Sequence, residues 1–508
     1  MPTTSHARVA LGRRAFVFGG ATFAALAGAL AGRPRSARAA LYGPLVADPE
    51  GVLDLPAGFT YRVLDRFGDA MDDGYRVPAS PDGMAAFPGP NGTIVLMRNH
   101  ELLIGNGPYE PGEAPEVAYD PLTMGCVTRL VVDGATYERI SSNLVLCGTL
   151  VNCAGGPSPW GWLSCEENTT AGHGYVFVCD TAAATVQPPT KIPAFGRFKH
   201  EAAAVDLVTG IVYLTEDLSD SSLYRFVPDD PAVPFVGQLQ ALKLVGVDVA
   251  ETTTMAVGAA PVAIEWVNID EPDPEPDNVR VQAQARGAAI FKRGEGIIIT
   301  AAREVYFTAT TGGPIGKGQV FRLRDRPDGS TLEVVAASTD TDVLNMPDNI
   351  TMSPWGELFM CEDGGGVDRL LVLTADGEIV DFARNAASEG ELAGVCFSPD
   401  GRALFLNLYQ EGLTVVITGP FPDVPPPGES DTDSESDGGT TDDNSSSTDD
   451  NSSSTDGASS TTDEGTSGGQ LDDAGCGCQS SSSADALASV ALLGVVAAGR
   501  RRAEPDQE

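Results

Sequence analysis

Between residues 41 and 421 the chain alternates short apolar runs with polar tips. Six runs carry the pattern most clearly, at residues 93–101, 161–168, 211–217, 305–310, 357–363 and 403–408. They are built from β-branched, aromatic and aliphatic residues and lead into polar or acidic tips. A Gly-rich turn and a second apolar run usually follow, as at 223–227 and 320–323. This is the period of strands, not of helices. The runs recur at intervals of roughly 45 to 90 residues, a length suited to four-stranded blades with insertions. The pattern predicts an all-β chain, folded as a six-bladed β-propeller with insertions. A propeller points equivalent strand ends towards one mouth. Acids far apart in sequence would then meet in one central funnel.

The two ends of the chain read differently. Residues 1–39 have the form of a twin-arginine signal peptide: Arg13-Arg14, an apolar stretch to about Ala31, and small residues around Ala39 for cleavage. The body spans 40–421. Residues 422–475 open on Pro425-Pro426-Pro427 and continue as Ser, Thr, Asp, Asn and Gly, a composition that cannot seed a core and predicts a disordered acidic linker. Residues 476–508 hold Cys476 and Cys478, a short apolar run over 484–499 and Arg500-Arg501-Arg502. That order resembles the Cys–apolar–Arg sorting tails of the MYXO-CTERM type; an ordinary short membrane anchor is the alternative. The expected partners are the twin-arginine translocase and a C-terminal sorting machinery. The expected address is the cell surface, attached to the outer membrane, or else the periplasm or medium.

Composition narrows the chemistry. A net charge of -39 over 508 residues excludes a nucleic-acid partner, which needs a basic face. With four His, a histidine-rich zinc hydrolase is disfavoured, and no GxSxG elbow, P-loop or HExxH is present. The acids available to a funnel are Glu101, Glu166, Glu167, Glu201, Glu216, Asp217, Glu295, Asp348, Glu362 and Asp363. Carboxylates gathered so closely raise one another's pKa or demand cations, and oxygen donors suit calcium or magnesium. Cys165, next to Glu166-Glu167, would add a softer donor suited to iron or another transition metal. The plain alternative is a buried free thiol.

Several segments together resemble one family. They are Asn152-Cys-Ala-Gly-Gly156 with Pro159-Trp160-Gly161 and Ser164-Cys-Glu-Glu-Asn168, then Gly196-Arg-Phe-Lys-His-Glu201, Val212-Tyr-Leu-Thr-Glu-Asp217, Arg293-Gly-Glu-Gly296, Met346-Pro-Asp-Asn349 and Phe397-Ser-Pro-Asp-Gly401. In this order they resemble the PhoX-type alkaline phosphatases. The resemblance implies a monomeric, exported propeller that hydrolyses small organic phosphate esters at a site of ferric iron (Fe3+) and calcium (Ca2+). A metal-bound oxide or hydroxide would attack phosphorus in line. Carried over residue by residue, Cys165 would be the thiolate on iron. Glu166, Glu201, Glu216, Glu295 and Glu362 would be ligands shared between the metals, with Asp217, Asp348, Asp363 and Glu391 as further ligands. Asn99, Asn349 and Arg384 would contact phosphate, and His200 would pack rather than ligate. Cys147 and Cys153 would be free to pair after export. Two alternatives stand beside it: a non-catalytic calcium-binding surface propeller, and a lactonase-type propeller hydrolase, which the crowded acids disfavour.

Overall fold

The structure is a computed structural model that describes residues 42–422. The expected leader, the linker beyond its first residue and the sorting tail lie outside the described residues. The described chain is all-β and propeller-like. Its only α-helix among the described residues is Val279–Ala285.

The sheets are antiparallel meanders, the simplest way to pair strands joined by short turns. One sheet runs Pro81–Pro88, Thr93–His100, Gly125–Asp133 and Arg139–Thr149. A three-stranded sheet follows, Asn152–Ser158, Gly161–Glu166 and Val176–Cys179. Next come two four-strand meanders, one starting at His200–Val205 and the other at Gly294–Ile299. Val262–Asn268 pairs with the outer strands of both and joins them into a single nine-stranded sheet. A fifth meander starts at Pro347–Met352. A sixth comprises Leu392–Phe397, Ala403–Leu408, Leu413–Thr418 and the N-terminal strand Thr60–Arg66.

The first strand of each meander lies innermost. These strands touch in chain order, from Pro81–Pro88 round to Leu392–Phe397, which touches Pro81–Pro88 again. The apolar runs singled out by sequence are the second strands, not the innermost ones. The inner strands are at least as long, but most are rich in Gly and Ala, so their hydrophobic signal is weak. Their close approach explains the composition: a Cβ on Gly83 would stand 2.3 Å from Ala154 Cα.

Apolar side chains fill the spaces between sheets. Phe291, Phe307 and Phe321 pack with ring centroids 5.0–5.3 Å apart. Tyr42, Phe59, Phe359 and Phe382 do the same near the ends of the described chain. Burying each such ring contributes about 1.5–3 kcal/mol. The closing sheet is tied to the first one by charge. Arg98 Nη1 lies 2.7 Å from Asp65 Oδ1, with the two side chains 1% and 0% exposed, and Arg98 also donates to Thr414.

Candidate metal centre and active site

Every inner strand slips register against its neighbour by one residue near its start. The slips fall between Pro81 and Met84, Asn152 and Gly155, His200 and Ala203, Gly294 and Ile297, Pro347 and Ile350, and Ala393 and Cys396. A bulge of this kind re-aims the extra side chain out of the ladder. The residue after the first of each pair is Asp82, Cys153, Glu201, Glu295, Asp348 and Gly394. Two residues before four of these, the backbone turns left-handed at Ser80, Val151, Arg293 and Met346, with φ of 48° to 57°. For a β-branched residue such as Val151 that conformation is strained, and strain of this type gathers at functional sites.

The bulges bring acids and one thiol together. Asp82, Glu101 and Cys153 offer ligand atoms within 4.8 Å of one another; so do Cys153, Glu167 and Glu201, and so do Glu201, Glu295 and Asp348. Cys153 joins the first two groups and Glu201 the last two, so the three form one continuous cluster. Glu101 and Glu167 come from the exits of the second strands. Arg293 closes one side: its Nε lies 2.7 Å from Asp217 Oδ1, its Nη2 2.6 Å from Glu295 Oε1 and its Nη1 3.6 Å from Asp363 Oδ2. Lys199 Nζ reaches Glu167 at 3.0 Å.

Burial dominates the electrostatics. It pushes Glu101 up to about 8, reinforced by Glu167, and Glu167 up to about 7, reinforced by Asp217. Asp348 rises to about 7 through burial and then Asp363. Asp82, Glu201, Glu295, Glu391 and the Cys153 thiol are raised further, each first by burial and then by neighbouring acids. Such a cluster either holds protons or binds cations. Asp82 Oδ1 and both Glu201 oxygens are buried without a protein partner, so they offer lone pairs to a metal. Carboxylates with one thiol fit a hard cation beside a softer one. Immediately after the donors along the inner strands, Gly83, Ala154, Ala202, Gly296 and Asn349 line a cavity of about 250 Å3.

Of the residues named from sequence, Glu101, Glu167, Glu201, Glu295 and Asp348 lie within these groups. Asp217 and Asp363 border them through Arg293, and Glu391 borders them through Asp348. The others point elsewhere. Cys165 is fully buried among Leu163, Val176 and Phe198, and the thiol of the cluster is Cys153. Glu166 accepts from Leu150 N, Gly174 N and Tyr175 N and pairs with His173 Nδ1 at 2.7 Å, organising the loop that follows it. Glu216 bonds Tyr224 Oη at 2.9 Å and Arg280 at 3.2 Å. Glu362 is held by Arg369 at 2.8 and 2.9 Å.

The reason is strand alternation. In Glu166-Glu167, Glu216-Asp217 and Glu362-Asp363 consecutive side chains face opposite ways, and the second of each pair faces the cluster.

The expected phosphate contacts also change role. Asn99 spends all its hydrogen-bonding capacity internally. It donates to Cys153 O at 3.1 Å and Ala154 O at 2.6 Å, and accepts from Trp162 and Ser164. It therefore fixes the Cys153 bulge. Asn349 bonds Asp348 Oδ1 and Gly394 N. Arg384 pairs with Asp54 on an outer strand. His200 is buried, stacks on Phe198 and bonds Gly196 O at 3.0 Å, in keeping with a packing role. Sequence reasoning passed over Asp82, Cys153 and Arg293. The last two stand inside the segments that carry the family resemblance, each within two residues of a glycine that allows close backbone approach.

The family model for alkaline phosphatase PhoX matches residues 40–133 and 134–412. The chain belongs to the PhoX alkaline phosphatase family. As a PhoX-family member it is a phosphoric ester hydrolase. No curated protein matches the chain. Among solved structures it is similar to Pseudomonas fluorescens PhoX in complex with vanadate, a transition state analogue. There the TM-score is 0.58 at 19% identity, over 74% of this chain and 97% of that one. At that identity the likeness establishes the shared fold. A gluconolactonase from Xanthomonas campestris aligns with a TM-score of 0.38 at 14% identity, over 75% of this chain and 98% of that one.

Proposed function

We propose that this PhoX-family chain is a six-bladed propeller that hydrolyses small organic phosphate esters at the Asp82–Cys153–Asp348 cluster. Six inner strands in a closed order support the blade count. The observation that carries the reading is the continuity of the three ligand groups through Cys153 and Glu201, with Arg293 beside them. Cys153 with Asp82, Glu101, Glu167 and Glu201 would hold iron, the metal of the pair with affinity for a thiolate. Glu201, Glu295 and Asp348 offer the all-oxygen set that calcium takes. When bound, the metals would neutralise the carboxylates and act as Lewis acids towards a phosphoryl oxygen.

The chain's own groups do the rest. Arg293 is fixed by Asp217 and Glu295 while 24% of its side chain stays open, so it can present a guanidinium edge to a non-bridging phosphate oxygen. Lys199, 34% open, places a second positive charge nearby. Both would orient an anionic ester without forming a covalent bond to it. Asn99 keeps the Cys153 backbone in place.

We read the protein as exported folded through the twin-arginine route and held at the cell surface by its tail, acting as a monomer on small esters. The leader, stalk-like linker and Cys–apolar–Arg tail support that address. The experiment is to purify the full chain, measure bound iron and calcium, and follow phosphate release from p-nitrophenyl phosphate. Stoichiometric metal and turnover that is lost on chelation are expected. A metal-loaded protein with no release above background would leave a binding propeller instead.

A further inference from the structure

We propose that Cys126 and Cys147 close into a cross-strand disulfide when the chain meets a thiol–disulfide oxidant. Cys126 on Gly125–Asp133 and Cys147 on Arg139–Thr149 are direct register partners. They share one apolar cluster with Tyr109, Met124 and Leu144 and are 0% and 1% exposed.

The kind of pair follows from the hydrogen bonds. Cys147 O accepts from Tyr119 N at 3.0 Å, and two residues earlier Val145 O accepts from Gln187 N at 2.8 Å. In a strand the N–H and C=O of one residue face the same side. The hydrogen-bonding side of Cys147 therefore faces Tyr119 and not Cys126. Cys126 and Cys147 form a non-hydrogen-bonded pair, the closer of the two antiparallel types, with Cα atoms about 4.5 Å apart. Disulfides span Cα separations of about 4.4–6.8 Å.

The remaining described thiols are placed otherwise. Cys153 belongs to the ligand cluster, so a Cys147–Cys153 bond would withdraw a ligand. Cys165, Cys361 and Cys396 sit in three other apolar clusters, and Cys179 in a fourth.

The exchange balances with oxidised glutathione or a protein disulfide as oxidant. One thiolate of the pair attacks the oxidant's disulfide, forming a mixed disulfide and releasing one thiol. The other thiolate then attacks the sulfur of its partner cysteine and releases the second. Two protons and two electrons leave the pair, and the oxidant is reduced to two thiols. Cys126 is the register partner of His100, next to Glu101, and Cys147 leads by a short turn to Cys153. The crosslink would tie together the two strands next to those that carry Glu101 and Cys153.

The test uses the full chain, reduced, then held in an oxidised glutathione buffer with and without sub-denaturing urea. It is acid-quenched, blocked with N-ethylmaleimide in guanidinium chloride, digested and mapped by mass spectrometry. We expect the Cys126 and Cys147 peptides as one linked species, released by reduction, with Cys153 and Cys165 blocked. A Cys126→Ala variant should leave Cys147 fully blocked by maleimide. Reduction should lower the Tm of the parent chain but not of the Cys126→Ala/Cys147→Ala double variant. Recovery of both parent cysteines as blocked thiols after oxidation in urea would overturn the proposal, as would a Cys147–Cys153 link.

Discussion

Replacing Cys153 by Ala, with Cys165→Ala beside it, separates two readings of where the soft ligand lies. Cys165 is 0% exposed within an apolar cluster. Its truncation removes one buried heavy atom and leaves a small void, costing about 1–2 kcal/mol of stability. It should leave metal content and turnover unchanged. Cys153 is 7% exposed and shares two ligand groups. Losing an outer partner of a metal ligand typically costs about 10–100-fold in affinity or activity. Losing the ligand itself should cost at least about 100-fold in kcat/KM, equivalent to about 2.7 kcal/mol. Unfolding midpoints in metal-free buffer should barely differ between Cys153→Ala and the parent, because no packed apolar group is lost. The assays are elemental analysis for iron, phosphate release, and urea denaturation of both variants. If Cys153→Ala kept its iron and its rate while Cys165→Ala lost both, the assignment of the cluster would be wrong.

Arg98→Met should lower stability by about 3–5 kcal/mol in urea denaturation, since it strands Asp65 without its cation, and Asp65→Leu added to it should recover much of the loss. In metal-free protein Glu101 titrates near 8 against an ordinary 4.5. A carboxyl raised on folding stabilises the fold below its unfolded value, and that stability is lost as pH rises from about 4.5 to about 8. Metal-free protein should therefore show a Tm that falls across this window, and metal-loaded protein should not; equal profiles would show that cations do not discharge the cluster. Glu166→Gln should destabilise the 166–175 loop, read as faster hydrogen exchange there, while metal content stays at the parent level. Arg293→Ala should reduce kcat/KM by about 100-fold or more, with phosphate inhibition weakened in parallel.

Much of the architecture is legible in the sequence because the second strands are short, nearly continuous apolar runs, four of which lead into acids. The ring of donors is harder to read. Sequence shows that Glu166-Glu167 closes a strand, but strand parity decides which of the two faces the axis. Parity depends on a register that only the paired strand fixes. The inner strands hide for another reason. Their bulges break the period of two just where the ligands sit, and residues such as Cys153-Ala154-Gly155 carry little apolar weight. Arg384 and Arg293 illustrate the same limit for cations. Both are single arginines in β-rich segments, and only tertiary contact shows that one meets Asp54 and the other Glu295.

Gly394 occupies the sixth bulge, where the last inner strand meets the first. A Cβ there would stand 2.2 Å from Asp82 O and 2.5 Å from Asn407 Nδ2. Any side chain is refused at that sector by van der Waals contact, whatever its charge. The donors thus form an open arc with two ends rather than a closed circle. A further donor for the gap would have to come from outside the bulge series; Glu391 stands three residues earlier, its carboxyl raised by burial and by Asp363, Asp348 and Asp82. The number of side chains that the bulges can send to the axis is thus set by how closely two backbones pass where the ring of strands closes.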